Sequence, residues 1–399
     1  MKKYLVILLS LVFVLSTVGF VFADDAGMDS VRAMKPGAKV QIGGDARVRG
    51  IWFKNPSFDS DADDDNRFYD QRIRLKFKGE AGNGVSANLR LYISNSPKWD
   101  GTSNTSCTGC ILVDWAYITI PVSTVTVNAG LMKENFGNTL YLYDDRYDIL
   151  KVSGQFESVK VSVFTRKIVD TFDTVVGDEN LKDFNDYGAT LVANVNDIEA
   201  GAIIVYHHDN RQTVPGTDND TGTDISLYAN AAISNINVGG ELTFLTGDIN
   251  KTPDDNTPLG LMLFAKTTVG AIGVRADFAF ASNLFTANNN YVPTLLIGTD
   301  QNTAILNFTS IADDEKAWLA AATADTDVME NVNVKGRVGY WSAKDGAGDT
   351  NSLLEIDGIV TYQIAKNARY IVEAAYGNPS DEIGEDAIIV LANKAELYF

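Results

Sequence analysis

Alternation of apolar and polar residues organises this chain from about residue 39 to its end. In the segment 85–94 every odd position is apolar, whereas the even positions carry serine, asparagine, arginine or tyrosine. The same period of two recurs in 331–341 and in 353–364, where Ile359 interrupts the polar side. Because successive strand residues point to opposite faces, each segment predicts a strand with one apolar and one mostly polar face.

The number and spacing of these segments indicate a closed all-β architecture. The pattern predicts about 18 antiparallel strands, and an additional hairpin within 291–311 is an open alternative that widens the range to 16–20. Long polar connections such as 55–66 and 210–222 alternate with tight turns such as 82–84 and 365–367. A transmembrane β-barrel has this asymmetry of long extracellular loops and short periplasmic turns, whereas a soluble β-sandwich does not require it.

The first 23 residues differ from the rest of the chain. Lys2 and Lys3 precede an apolar stretch over 4–22, and Ala23 offers a small residue at a cleavage position. We expect 1–23 to be a cleaved secretory signal peptide, 24–38 a short periplasmic lead-in, and 39–399 the barrel domain. An uncleaved N-terminal anchor is the alternative. Beyond this stretch, no run in the sequence approaches the ~18 consecutive apolar residues of a membrane helix.

The last predicted strand ends on an aromatic residue. Phe399 follows apolar residues at 391, 395 and 397, with charged or polar residues on the opposite face. This ending resembles the assembly signal of Gram-negative outer-membrane proteins. Together with the signal peptide and the loop asymmetry, the chain resembles the Gram-negative outer-membrane porin family of general-diffusion type. The resemblance implies a place in the cell outer membrane, contact with its lipid and with the barrel-assembly machinery, and leaves a homotrimer open.

Composition narrows the classes of function. The 399 residues carry a formal net charge of −19, two histidines and two cysteines. An acidic chain lacks the basic patch that nucleic acid requires, and so few histidines and cysteines leave little for catalysis. We expect no enzyme activity, no cofactor and no metal site. Cys107 and Cys110, in the second long loop, are a candidate disulfide because exported proteins meet oxidising conditions.

Basic residues gather on the polar faces of the first three predicted strands. In a barrel of this size the interior is too wide for side chains to fill, so these faces are expected to line water. Antiparallel neighbours would form one positive wall, which would attract anions, although lumenal faces are polar in any case. We call this set the basic wall; it comprises Arg47, Arg49, Arg72, Arg74, Lys76 and Arg90.

Acidic and aromatic residues follow the fifth predicted strand, over 138–147. In porins the third extracellular loop folds inward and narrows the channel, and the resemblance implies this role here. The residues Glu134-Asn135-Phe136-Gly137 resemble the loop-three motif of general porins, but Lys133 stands where that motif begins with proline. Alternatively, the tyrosines of this segment belong to the outer aromatic girdle. The candidate constriction residues are Glu134, Asp144, Asp145 and Asp148.

The sequence therefore predicts a passive, water-filled channel for small hydrophilic solutes and ions. Its selectivity would come from the basic wall facing the acidic third loop, because opposed charges create a transverse field. One alternative is an anion-selective channel for phosphate or organic anions. The other is a scaffold barrel without transport, either a sheath for an electron-transfer partner or an adhesin.

Overall fold

The computed structural model describes residues 39–59, 64–96, 111–169, 184–209, 220–247, 257–288, 291–297, 308, 316–344, 349–380, 383–384 and 386–399. Within these ranges, no helix is long and apolar enough to cross a membrane. The predicted signal peptide, the lead-in, and both Cys107 and Cys110 lie outside the described residues, so these expectations stay predictions.

The alternating segments form one antiparallel sheet of 18 strands, which confirms the predicted fold and strand number. Most boundaries agree with the alternation to within a few residues. The strands are β1 (Lys39–Lys54), β2 (Asn66–Glu80), β3 (Ser86–Ser96), β4 (Leu112–Val122), β5 (Val125–Phe136), β6 (Leu142–Phe156), β7 (Val159–Val169), β8 (Phe184–Val195), β9 (Ile198–Asp209), β10 (Asp220–Ile233), β11 (Ile236–Gly247), β12 (Leu259–Val269), β13 (Ile272–Ser282), β14 (Lys316–Met329), β15 (Val332–Lys344), β16 (Thr350–Ala365), β17 (Ala368–Pro379) and β18 (Ile388–Tyr398).

Pairing of the first and last strands closes the barrel. Every strand pairs with its neighbour in the chain, and β1 pairs with β18, with Val48 opposite Ala395. Just beyond β18, Phe399 exchanges two backbone hydrogen bonds with Gly44, at 2.7 and 3.0 Å. A Cβ atom at position 44 would lie 2.7 Å from the Phe399 ring, so glycine is required for this close approach.

The two faces of the sheet have opposite chemistry. The outer face exposes large apolar side chains such as Ile356 and Leu391, and it matches the apolar band of a membrane barrel. Charged side chains such as Glu355 and Asp186 alternate with them and are buried on the lumenal face. The predicted alternation therefore places polar groups inside the barrel along much of the wall.

One part of the lumenal face is apolar, contrary to the expectation that the interior holds only water. Leu319, Leu353 and Val390 point inward and are buried, because they pack against the connection between β13 and β14. The extra hairpin considered for 291–311 does not form in the described part of that range, which is 291–297 and residue 308. These residues instead fill the lumen beside β14 to β18.

Candidate solute pathway inside the barrel

The turn between β5 and β6 folds across the lumen. The carboxylate of Glu241 on β11 accepts hydrogen bonds from the backbone N–H groups of Asn138 at 2.5 Å, Tyr141 at 3.0 Å and Leu140 at 3.3 Å. Glu241 is only 1% exposed and lies six strands away from β5 along the sheet. A single buried carboxylate therefore satisfies three backbone donors of a turn that would otherwise stand at the rim.

This turn is shorter than the predicted third loop. β6 begins at Leu142 rather than near Tyr147, so the connection spans only residues 137–141. A β-bulge at Glu134 and Asn135, with Asp144 at a φ of 62°, breaks the alternation there and hides the start of the strand.

The connection between β13 and β14 is held in the same way on the other side of the lumen. Leu296 donates its backbone N–H to Glu355 Oε1 at 2.7 Å, and the Thr294 hydroxyl donates to Oε2 at 2.5 Å. Leu295 donates its N–H to Asp357 at 3.1 Å. Both carboxylates project from the lumenal face of β16, so they fix the connection inside the wall.

The two inward connections touch each other. Asn288 donates its backbone N–H to Leu140 O at 2.8 Å and its side-chain amide to Asp145 at 2.6 Å. We call the combined element the partition; it consists of residues 137–141, 285–288 and 291–297. A solute that passes through the barrel must therefore move past the partition.

The residues of the basic wall are neighbours on one face of β1 to β3. Arg47 lies opposite Arg72 across β1 and β2, and Lys76 lies opposite Arg90 across β2 and β3. The structure thus brings together residues that are up to 43 positions apart in the chain.

Carboxylates that the sequence analysis did not single out lie within the basic wall. Arg49 binds Asp70 at 2.6 Å, and Arg74 binds Asp45 at 2.9 Å. Asp114 on β4 is a third carboxylate in this region and is buried. Five of the six cations form ion pairs with these three carboxylates, and Lys76 adds a sixth positive charge, so the wall keeps an excess of positive charge.

Asp114 is placed by a bulge between β3 and β4. Val113 and Trp115 pair with successive residues of β3, so Asp114 between them is the extra residue of the bulge. Its carboxylate accepts hydrogen bonds from both Arg90 and Arg146. Arg90 also stacks on the Trp115 ring, 3.3 Å from its centroid, in a cation–π contact. The bulge therefore orders two guanidinium groups at one carboxylate.

The four constriction candidates do not form one cluster. Glu134 of β5 binds Lys151 of β6 at 2.6 Å, and Asp144 binds Lys133. Asp145 contacts the partition through Asn288. Asp148 pairs with Leu131 and is exposed on the other face of β6 from Asp145. Only Asp145 of this set joins the partition, and the expectation that Asp148 lines the constriction is corrected.

A buried polar network was missed by sequence reasoning. His207 lies between two carboxylates, with Nδ1 at 2.6 Å from Asp186 and Nε2 at 2.8 Å from Asp224. Arg166 also binds Asp186, at 2.5 Å, and the Tyr141 hydroxyl donates to Asp224 at 2.9 Å. The network joins the wall to the partition. Its sequence signal was a histidine two positions before Asp209, on the same face of β9.

Burial governs the ionisation of the tyrosine in this network. It raises the pKa of Tyr141 well above its ordinary value, and the neighbouring charge of Asp224 raises it further. The hydroxyl therefore stays a hydrogen-bond donor at neutral pH.

The comparisons with known proteins agree with the barrel fold. The family model for phosphate-selective porin O and P matches residues 46–153. OpdK of Pseudomonas aeruginosa is similar in structure at a TM-score of 0.58 and 14% identity, over 90% of this chain and 99% of that one. The fold is that of an outer-membrane porin.

Two further solved structures support this assignment of the fold. OccK9 of Pseudomonas aeruginosa has a TM-score of 0.59 at 13% identity, over 91% of this chain and 99% of its own. OccAB4 of Acinetobacter baumannii has a TM-score of 0.58 at 11% identity, over 90% and 98%. The sequence matches no curated protein. The range that the porin family model matches contains the second half of β1, all of β2 to β5 and most of β6, and with them all six residues of the basic wall.

Proposed function

We propose that the protein is a passive channel of the outer membrane for small hydrophilic solutes, with a preference for anions. The observation that carries this proposal is the basic wall, where six lumenal cations lie on adjacent strands and five of them form ion pairs with three carboxylates. Excess lumenal positive charge lowers the energy of an anion in the pore and raises that of a cation.

The partition supplies the second part of the proposal. It narrows the path without filling it with apolar side chains alone, since Asn288 and Thr139 contribute polar groups and Asp145 of β6 accepts a hydrogen bond from Asn288. Small solutes with hydrogen-bonding groups would pass, and larger or apolar ones would be excluded. The exposed apolar outer face would contact membrane lipid.

A substrate-selective anion channel is the second candidate. The family model that matches β1 to β6 describes phosphate-selective porins, and OpdK has been solved with vanillate. A binding site for a particular anion would make the current saturate as solute concentration rises, whereas general diffusion would not.

Ion selectivity in planar bilayers tests the proposal. The purified barrel is expected to conduct, with a reversal potential in a KCl gradient that shows anion preference. Arg72→Glu with Arg74→Glu is expected to lower the anion-to-cation permeability ratio several-fold. Lys366→Gln, in the exposed turn between β16 and β17, removes a cation that is not part of the basic wall and serves as the control. An unchanged ratio in the double variant would reject the selectivity mechanism, and a folded barrel without conductance would favour a scaffold.

A further inference from the structure

Two acidic side chains that hold the connection between β13 and β14 stand side by side. Glu355 and Asp357 are two positions apart on β16, so both project from its lumenal face. Glu355 is fully buried and Asp357 is 4% exposed. Their carboxyl groups lie within hydrogen-bonding reach of each other. Two ionised carboxylates in such a buried site would repel each other, so the pair requires a compensating group or a proton.

The hydrogen bonds of the pair show where a proton is missing. Leu296 and Thr294 donate to the two oxygens of Glu355, and Leu295 donates to Oδ2 of Asp357. Among the described residues, no group donates to Oδ1 of Asp357, and this oxygen is buried. A buried carboxylate oxygen without a donor is unfavourable, whereas a protonated oxygen would itself donate a hydrogen bond to Glu355.

The described cations beside the pair do not supply this donor. Arg337 of β15 stands opposite Asp357 in the register, yet it makes no hydrogen bond to Oδ1. Residues 292–297 of the connection bring no ionisable side chain. With one proton the pair would keep one negative charge, which Arg337 can balance. The charged groups on the lumenal faces around the pair are Asp325 of β14, Lys335 and Arg337 of β15, Glu373 of β17 and Lys394 of β18.

We infer that Asp357 carries a proton at neutral pH and donates it to Glu355, so that the pair forms a proton-dependent latch for residues 291–297. The latch goes beyond the proposed channel function, although conductance is one of its two readouts. Glu355 stays ionised and accepts from Leu296, Thr294 and Asp357. Every oxygen of the pair then takes part in a hydrogen bond.

The latch gives the connection a pH dependence with a definite sign. If residues 291–297 left their place, water would reach both carboxyl groups, and both would be ionised at neutral pH. The inward state therefore binds one proton more than the released state, so a rise in pH favours release. The proton passes to water, and the two negative charges left behind repel each other. We expect the connection to be held at acidic and neutral pH and to loosen at alkaline pH.

Asp357→Asn tests the latch because asparagine imitates the protonated acid at every pH. Its side-chain oxygen can accept from Leu295, and its amide can donate to Glu355. We expect the single-channel conductance of the wild-type protein to rise between pH 7 and pH 10 as the partition loosens. In Asp357→Asn this rise should be lost, and the conductance at pH 7 should equal that of the wild type.

Two control variants separate the latch from other titrating groups. Glu373→Gln removes a neighbouring lumenal carboxylate that binds Lys394 at 3.0 Å, and it should keep the alkaline rise. Tyr141→Phe alters the other half of the partition and should keep the rise as well, because tyrosine ordinarily ionises near about pH 10. Heat-dependent gel mobility checks that each variant is a folded barrel.

Infrared spectroscopy supplies a readout that does not depend on conductance. At pH 7 the wild-type protein should show the carbonyl stretch of a protonated carboxylic acid that is missing from Asp357→Asn. This band should disappear from the difference spectrum of the two proteins when the pH is raised to 10.

The outcomes distinguish the latch from the channel function. Absence of the carboxylic acid band from the difference spectrum at pH 7 would overturn the latch. An equal alkaline rise in wild type and Asp357→Asn would overturn it too, as would a raised conductance of Asp357→Asn at pH 7. Folded wild-type protein that shows the band but does not conduct would instead reject the channel function and leave the latch in place.

Discussion

The backbone N–H of Leu296 donates to the Glu355 carboxylate at 2.7 Å, so a buried acidic side chain holds an inward connection to the wall. Glu355 is fully buried, and Thr294 donates to its second oxygen. Removing this carboxylate would leave buried donors without an acceptor, a cost of about 1–3 kcal/mol each. The partition thus depends on a small number of identifiable hydrogen bonds.

Loss of the Glu355 carboxylate is expected to loosen the partition. In Glu355→Ala the 291–297 segment should leave its position, which would raise the single-channel conductance and the current noise. Glu355→Gln keeps one acceptor and should have a smaller effect. Glu330→Ala, in the exposed turn before β15, is the control. Conductance in Glu355→Ala equal to that of the control would contradict this role.

The opposite half of the partition is expected to respond to a change at Gly137. This residue has a φ of 67°, and a Cβ there would lie 2.7 Å from a Glu241 oxygen. Gly137→Val should therefore push the turn away from β11 and change the conductance. Gly358→Val on β16, where a Cβ meets nothing within 4 Å, is the matched control. Similar conductance in the two variants would show that the turn does not shape the path.

Removal of a carboxylate that pairs with the basic wall is expected to change the permeability ratio in the opposite direction. Asp45 binds Arg74 at 2.9 Å and Arg72 at 3.2 Å. Asp45→Asn removes one negative charge beside two guanidinium groups, so the anion-to-cation permeability ratio should rise. Asp197→Asn, in the turn between β8 and β9, should leave the ratio near the wild-type value. A fall in the ratio for Asp45→Asn would be inconsistent with a wall of net positive charge.

The seam of the barrel should be sensitive at Gly44. Any larger residue there would meet the Phe399 ring and the backbone oxygen of Arg74. Gly44→Leu is therefore expected to reduce the yield of closed barrel, measured as the heat-modifiable band on a gel. Gly79→Leu on β2 lies where a Cβ meets nothing within 4 Å and should assemble normally. Normal assembly of Gly44→Leu would show that the seam tolerates a side chain.

Alkaline pH is expected to weaken the partition through Tyr141. Because burial raises the pKa of Tyr141, its folded-state stabilisation is complete below about pH 10, the ordinary tyrosine value, and is lost as pH rises further. Thermal unfolding between pH 7 and 11 should show a decline above pH 10 that is smaller in Tyr141→Phe. An identical decline in both proteins would assign the effect to other groups.

Strand positions could be predicted from the sequence because alternation is a local property. In β3 and β16 the polarity of a residue indicates whether its side chain points to the lumen or to the outside. Short turns then fix the register between neighbouring strands. The basic wall followed from the same rule, since Arg47 and Arg72 pair on the adjacent strands β1 and β2. Asp45 and Asp70 lie on the same lumenal face as these arginines. The same alternation therefore predicts that they are neighbours of the basic wall.

The partition could not be predicted in this way because it depends on contacts between distant segments. Glu241 and Tyr141 are joined by folding across the lumen, and nothing local to either residue indicates the other. One signal was available. Ile359, the apolar interruption on the polar side of β16, belongs to the buried cluster that packs around the inward connection. The bulge at Asp144 removed a second signal by breaking the alternation at the start of β6.

The inward position of the β13–β14 connection constrains the order of assembly. Its residues Phe285 and Leu296 are buried among side chains of the inner wall, and the wall itself has no free strand edge once β1 has paired with β18. An enclosed segment can enter only through a mouth of the finished cylinder, or it must already be in place when the seam forms. Slowing seam formation would therefore reveal whether the interior condenses first, and a late-folding interior would leave a transient, wide-bore cylinder.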